Sequence, residues 1–298
     1  MQPSNLIPAD VISPDTLLPE GYRDTPITSV GIGLRSDHYE VIKTSKPAIP
    51  WFEVLIDNYL DRGGQIKQHL HEIRSDYPIT FHGVGMSLGS TDPLNKKYLA
   101  QLKRAIHAYE PIHISDHLCW TGFQHEYAHD LLPLPYTQEA ARHVANNIMQ
   151  VQDILGQNIL VENVSSYMQY RTSEMSEAEF VRYVCELADC HLLLDINNVY
   201  VSAFNHKFNA QNYLATMPAQ QIKEIHLAGY EDHGDYLLDT HGQLIHPPVW
   251  DLYKTFISWH GVIPTLIEWD TDIPDFSVLQ QQARQAEIIQ QQYQCHVS

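Results

Sequence analysis

The sequence predicts an α/β fold, a closed (β/α)8 TIM barrel, as a single domain over residues 1–298. Three observations carry this. Eight short runs rich in Val, Ile and Leu alternate with longer segments of helical periodicity. Ionisable residues gather at the C-terminal ends of those runs, where barrels of this kind hold their chemistry. The chain, 298 residues and 44% hydrophobic, is long enough for one such barrel.

In chain order, residues 1–28 are proline-rich and read as an irregular segment, 29–270 as the barrel core and 271–298 as a C-terminal helix. The strand runs are "SVGIGLR", "WFEVLI", "YPITFHG", "PIHISDH", "NILVENV", "HLLLDIN", "IKEIHLAG" and "VIPTLIEWD". Between them, "TDPLNKKYLAQLKRAIHAY" predicts a helix capped by Asp92, with Pro93 in the first position. Its Leu94, Tyr98, Leu102 and Ile106 recur every four residues. "YTQEAARHVANNIMQVQDILG" sets Val144, Ile148, Val151 and Leu155 on one face and stops at Gly156. "SEAEFVRYVCELA" opens with Ser176 and Glu179 at capping-box spacing. No Gly-x-Gly-x-x-Gly follows the first run, which weakens the alternative of an open doubly wound sheet.

Composition narrows the function classes. Eighteen basic against 36 acidic residues give a net charge of −18, which repels phosphate backbones and argues against a nucleic-acid partner. No run of about 18 apolar residues predicts a membrane span, and the N-terminus lacks the pattern of a signal peptide. Cys119, Cys185, Cys190 and Cys295 form no Cys-x-x-Cys pair. A reducing cytoplasm is the simplest setting.

The strand ends carry His82; Asp116 and His117; Glu162 and Asn163; Asp195, Asn197 and Asn198; His226; and Glu268 and Asp270. Asp239 and His241 follow on a loop, two apart, so that in an extended segment their side chains converge. His38 and the pair Asp232-His233 lie in expected loops. Each alone has an ordinary structural reading: a satisfied histidine, or an Asp or Asn capping the next helix. "DINN" reads equally as a turn, and Cys119 as a small buried residue. Recurrence changes the balance, because so many ionisable groups in one barrel mouth are costly without compensation. No Lys or Arg is expected at these ends, so divalent metal ions would supply the missing charge. Nitrogen and oxygen donors without thiolate suit iron, manganese or zinc.

"FHGVGMSLGS", "SDHLCW", "HDLLPLPYT", "ILVENVSSY", "LLLDINNVYVSAFNH", "IHLAGY", "LDTHG" and "LIEWD", between about Gly31 and Asp270, resemble the domain of unknown function 692 family. These are the multinuclear non-haem iron-dependent oxidases, typified by the methanobactin-biosynthesis oxidase. The resemblance implies a barrel like that of xylose isomerase and endonuclease four, holding two or three iron ions in mixed Fe2+/Fe3+ states. Zinc or manganese is the alternative in protein as purified. It implies dioxygen-dependent modification of cysteine residues in a ribosomally synthesised precursor peptide, with a partner protein that binds the leader peptide.

By the same resemblance, His82 and His117 would ligate one iron, and Glu162 would bridge to a second that also takes His226 and Glu268. Asp195 would be a further bridge, with Asn198, Asp239 and His241 at the third-ion end. Asp116, Asp270, His38 and Asn163 are candidates for orienting ligands or handling protons. The chain departs from the family pattern at Asp116, at Val164 in place of proline and at Asp57-Asn58-Tyr59. A zinc or manganese hydrolase or phosphoesterase on the same barrel is the alternative. A sugar isomerase would need a catalytic lysine, and none stands at a strand end.

Overall fold

The computed structural model describes residues 27–60, 63–124 and 126–294. The strands are β1 Val30–Leu34, β2 Phe52–Leu55, β3 Ile79–Gly83, β4 Ile114–His117, β5 Trp120–Phe123, β6 Glu126–Leu132, β7 Leu160–Glu162, β8 His191–Asp195, β9 Ile222–Leu227, β10 Glu231–Asp232, β11 Leu237–Leu238 and β12 Thr265–Ile267. The α-helices are α1 Tyr39–Ser45, α2 Gln65–Asp76, α3 Lys96–Tyr109, α4 Gln138–Leu155, α5 Glu177–Ala188, α6 Ile196–His206, α7 Ala210–Thr216, α8 Pro247–His260 and α9 Phe276–Gln294.

The eight apolar runs all become strands of one closed parallel barrel, in the order β1-β12-β9-β8-β7-β4-β3-β2. Parallel strands covered on both faces read as continuous apolar runs, and β1 and β3 are buried at every position. The outer faces pack on the helices in one core that runs from Val30 to Ile289. Gly31 is required by that packing, since a Cβ there would lie 2.4 Å from the Trp51 ring.

The helix stops are those the sequence encodes at α4 and α5. Thr137 caps α4 by accepting from Ala140 N, and Gly156 ends it at φ 82°. Ser176 and Glu179 form both halves of a capping box at α5. The expected start of α3 is wrong by three residues: Asn95, not Asp92, accepts from Tyr98 N, and Pro93 and Leu94 lie before the helix. Asp92 is used differently, its backbone N–H donating to Ser90 Oγ at 3.1 Å. The C-terminal helix occupies Phe276–Gln294, after Pro274; 295–298 lie outside the described residues. So does the irregular segment up to residue 26. The hairpin β5–β6, joined antiparallel, was not apparent from sequence.

Candidate metal centre

Strand register brings the site together. In the parallel ladder His117 sits directly across from Glu162, and Asp195 across from His226. Asp195 ends β8 and caps α6 at once: its Oδ1 accepts from Asn198 N at 2.6 Å. Its other oxygen is buried and has no hydrogen-bond partner. Asn163 braces this junction, accepting from Asp195 N and donating to Asp195 O, both at 2.9 Å. Asn198 Nδ2 donates back to Asn163 O at 3.0 Å, which leaves Asn198 Oδ1 buried and unpartnered.

The strongest chemical signal is the pair His82 and His117. His117 Nδ1 lies 3.2 Å from Gly83 O, and a carbonyl only accepts, so that nitrogen carries the proton. Ser115 Oγ donates to Phe81 O at 3.2 Å and therefore accepts from His82 Nδ1 at 2.8 Å. Both Nε2 atoms are thus bare, yet they face each other at 3.3 Å. Glu162 Oε2 joins them at 3.2 and 3.3 Å and has no hydrogen-bond partner. Burial drives His82 well below its ordinary pKa and His117 down to about 4, so both rings are neutral and their Nε2 lone pairs are free to bind a cation. Burial likewise drives Glu162 well above the usual carboxylate range. Metal bonds of roughly 2.0–2.2 Å separate neighbouring donor atoms by about 3 Å, so these three atoms are spaced as ligands of one cation.

The second group is Glu162, Asp195, His226 and Glu268, whose donor atoms lie within 4.8 Å of one another. His226 Nδ1 is 3.0 Å from Glu268 Oε2, and its Nε2 is 3.0 Å from Glu53 Oε2. Burial opposes charge on this imidazole, but Glu53 and Glu268 outweigh it and raise its pKa well above the ordinary value. Burial pushes Asp195 up to about 7, against the pull of His241.

The third group joins His241, Glu268 and Asp270. Asp239 and His241 do converge, with Oδ1 and Nε2 2.7 Å apart, but not through an extended strand. His241 takes a positive φ of 47°. His241 Nε2 is buried and has no hydrogen-bond partner of good geometry. Asn197 Nδ2 donates to Asp239 Oδ1 at 2.7 Å, and Tyr167 OH accepts from Asp239 N at 2.9 Å. Gly229 makes room for this loop, because a Cβ there would meet Gln243 O at 2.2 Å.

Two expectations need correction or completion. Arg35, immediately after β1, is a cation at a strand end: it donates to Trp269 O at 2.8 Å and pairs with Asp270. Its charge is felt by Glu268 and Glu53 as well as by Asp270, so it partly offsets the carboxylates on its side of the mouth. Sequence reasoning also missed Glu53 and Glu224, both buried on the barrel axis and grouped with His226. Their signal was a lone acid inside an apolar run, in "WFEVLI" and "IKEIHLAG".

Of the acidic and histidine candidates, Asp239, His38, Asp116, Asp232 and His233 fall outside the ion-ready groups found among the described residues. His38 Nε2 donates to Pro274 O at 2.8 Å, and its ring packs 5.3 Å from Phe276, tying η-turn residues 36–38 to α9. Asp116 turns away from the histidines and accepts from Met86 N and His117 N at 3.0 and 2.8 Å. Burial, then Asp57, push it up to about 8. Asp232 and His233 lie in the small β10–β11 hairpin region, where His233 contacts Glu231.

The bare nitrogens, orphaned oxygens and donor spacing fit divalent metal ions. Solved structures with the same architecture include L-ribulose 3-epimerase, at TM-score 0.58 and 13% identity, covering 91% of this chain and 97% of that one. A xylose isomerase domain-containing protein from Salmonella typhimurium matches at TM-score 0.59 and 14% identity, over 89% and 97%. These likenesses establish the barrel. Among sequence relatives, a UPF0276 protein of Acaryochloris marina is 54% identical over 263 residues, 88% of this chain and 95% of that protein. A UPF0276 protein of Vibrio parahaemolyticus is 43% identical over 264 residues, 87% and 92%. The family model described as "RiPP precursor modification enzyme MbnB/TglH/ChrH" matches residues 29–291, and the chain belongs to that family of enzymes acting on ribosomally synthesised precursor peptides.

Proposed function

We propose that this enzyme is an iron-dependent, dioxygen-using oxidase that modifies cysteine residues of its precursor peptide, with the leader held by a partner protein. The observation that carries the reading is the facing pair of bare imidazole nitrogens beside a buried carboxylate oxygen with no hydrogen-bond partner, three donors spaced for one cation. His82, His117 and Glu162 would hold one ion. Glu162, Asp195, His226 and Glu268 would hold a second, and Asn198, Asp239 and His241 would hold a third. Bound iron supplies, with dioxygen, the oxidising chemistry that carboxylates and imidazoles lack.

The chain's own residues prepare the site for that chemistry. Ser115 and the Gly83 carbonyl hold two histidines in the tautomer that presents Nε2. Glu53 orients His226 by accepting a hydrogen bond from its Nε2 at 3.0 Å, which turns Nδ1 towards Glu162 and Glu268. The inner carboxylates are shut from water, Glu162 and Asp195 at 1% and 0% exposure, while the Asp270 side chain at 41% marks the open rim. Substrate sulfur would approach from that rim, and the His241 Nδ1 proton, 3.3 Å from Asp270 Oδ2, has a route to solvent there.

The test is mass spectrometry of a cysteine-bearing precursor peptide after reaction with protein loaded anaerobically with ferrous iron, then given dioxygen. A mass change that needs iron and oxygen, and disappears when the peptide cysteine is replaced by serine, supports the oxidase. An equal change with zinc under argon overturns it in favour of hydrolytic chemistry.

A further inference from the structure

A cavity outside the metal centre opens between the segment 166–178 and residues 206–216. It has a volume of about 460 Å3 and is walled by the aromatic rings of Tyr136, Tyr170, Phe208 and Tyr213. Glu177, the first residue of α5, faces it. Tyr213 OH donates to Glu177 Oε1 at 3.0 Å, and the Tyr136 hydroxyl also bonds to this carboxylate. A carboxylate accepts about four hydrogen bonds, so positions remain open. Burial pushes Glu177 up to about 7, against those two phenols. Among the described residues lining the cavity there is no lysine or arginine to answer it. A carboxylate set among aromatic faces is the environment that recognises a cation.

The cavity is tied to the metal centre by one segment of chain. Ser166, on its wall, hydrogen-bonds His206 at 2.8 Å and follows Glu162 by four residues. Four residues span at most about 14 Å. The next residue, Tyr167, reaches the other way and accepts from Asp239 N. The segment thus has one side on the candidate ligands and the other on the cavity.

We propose that this cavity seats a basic side chain, lysine or arginine, of the peptide substrate. The inference rests on the peptide-substrate reading but not on iron or dioxygen. The net charge of −18 favours a basic segment approaching this face.

Ligand-observed NMR titration of the full chain under argon tests it, with capped lysine and arginine (Nα-acetyl, C-terminal methylamide) as probes and capped norleucine and butylamine as controls. Expected is binding of lysine or arginine at least about fivefold tighter than of norleucine. Glu177→Gln should weaken it by a similar factor, and Asn212→Lys, at an exposed rim position, should block it with its own amine. Norleucine binding as well as lysine, or lysine affinity unchanged in both variants, overturns the proposal. Butylamine carries the same chain and ammonium as the lysine side chain and should compete with capped lysine; an absence of competition would overturn the side-chain seat. Because these probes need no turnover, an inactive or iron-free enzyme leaves the result intact, and a failure here leaves the metal centre untouched.

Discussion

Ser115 and the Gly83 carbonyl decide what His82 and His117 can do. Each accepts a hydrogen bond from an Nδ1–H, so each ring shows a bare Nε2 to the other. Ser115→Ala frees His82 to change tautomer, and metal affinity, read by competition with a chelator, should fall about 10–100-fold. Glu162 belongs to two ion-ready groups at once, so Glu162→Gln should lower metal stoichiometry at both, where a histidine variant empties one. Acid should act on the same residues. Asp195 has its pKa raised to about 7, and a metal binds only the deprotonated form. Above pH 7 this group costs nothing; as pH falls from 7 to 5 its proton must leave on binding, and affinity should drop about tenfold per unit from this residue alone. An affinity that is flat across that range would contradict the assignment of Asp195 to the site. These strand-end residues were legible in sequence because a parallel barrel puts the ends of its runs in one mouth. Arg35, Glu53 and Glu224 were not, because which residue of a run turns inward depends on register and tilt that no short motif encodes.

At the scale of elements, the β8–α6 junction does two tasks with one side chain. Helix α6 begins at the residue after the strand, so the Asp195 carboxylate caps it with one oxygen and leaves the other for the barrel axis. The loop carrying Asp239 and His241 depends instead on a close backbone approach at Gly229. Gly229→Ala should displace that loop, and metal analysis should show loss at the Asp239–His241 end with the His82–His117–Glu162 end retained. Away from the site, Ser176→Ala removes one half of the α5 capping box and should cost about 1 kcal/mol in denaturant unfolding. All eight strands, and the caps at α4 and α5, could be read from residue pattern alone, since apolar runs and caps are local signals. The start of α3 could not: Asp92 and Asn95 are both good caps, and Asn95 prevails because the 90–95 segment is held by Ser90 against Gly122 O. The β5–β6 hairpin lacked the alternation that marks a strand pair, with a register shift between Trp120 and Gly122.

For the whole molecule, the metal ions and the barrel stabilise each other. Buried carboxylates on the axis repel until cations sit among them, so folding and metal binding are linked. Metal at 100 times its dissociation constant should add about 2.7 kcal/mol of stability, and a chelator should lower the unfolding midpoint accordingly. Among the described residues no helix is long and apolar enough to cross a membrane. The excess of acidic residues, 36 against 18 basic, gives the chain a negative field that would favour a basic peptide segment over an acidic one, an effect that salt weakens. The most direct measurement is the metal content of protein purified without oxygen, with Mössbauer spectra of the same sample. Two or more irons per chain in mixed oxidation states is the expected result. Stoichiometric zinc with no bound iron, even after anaerobic supply of ferrous iron, would contradict the oxidase.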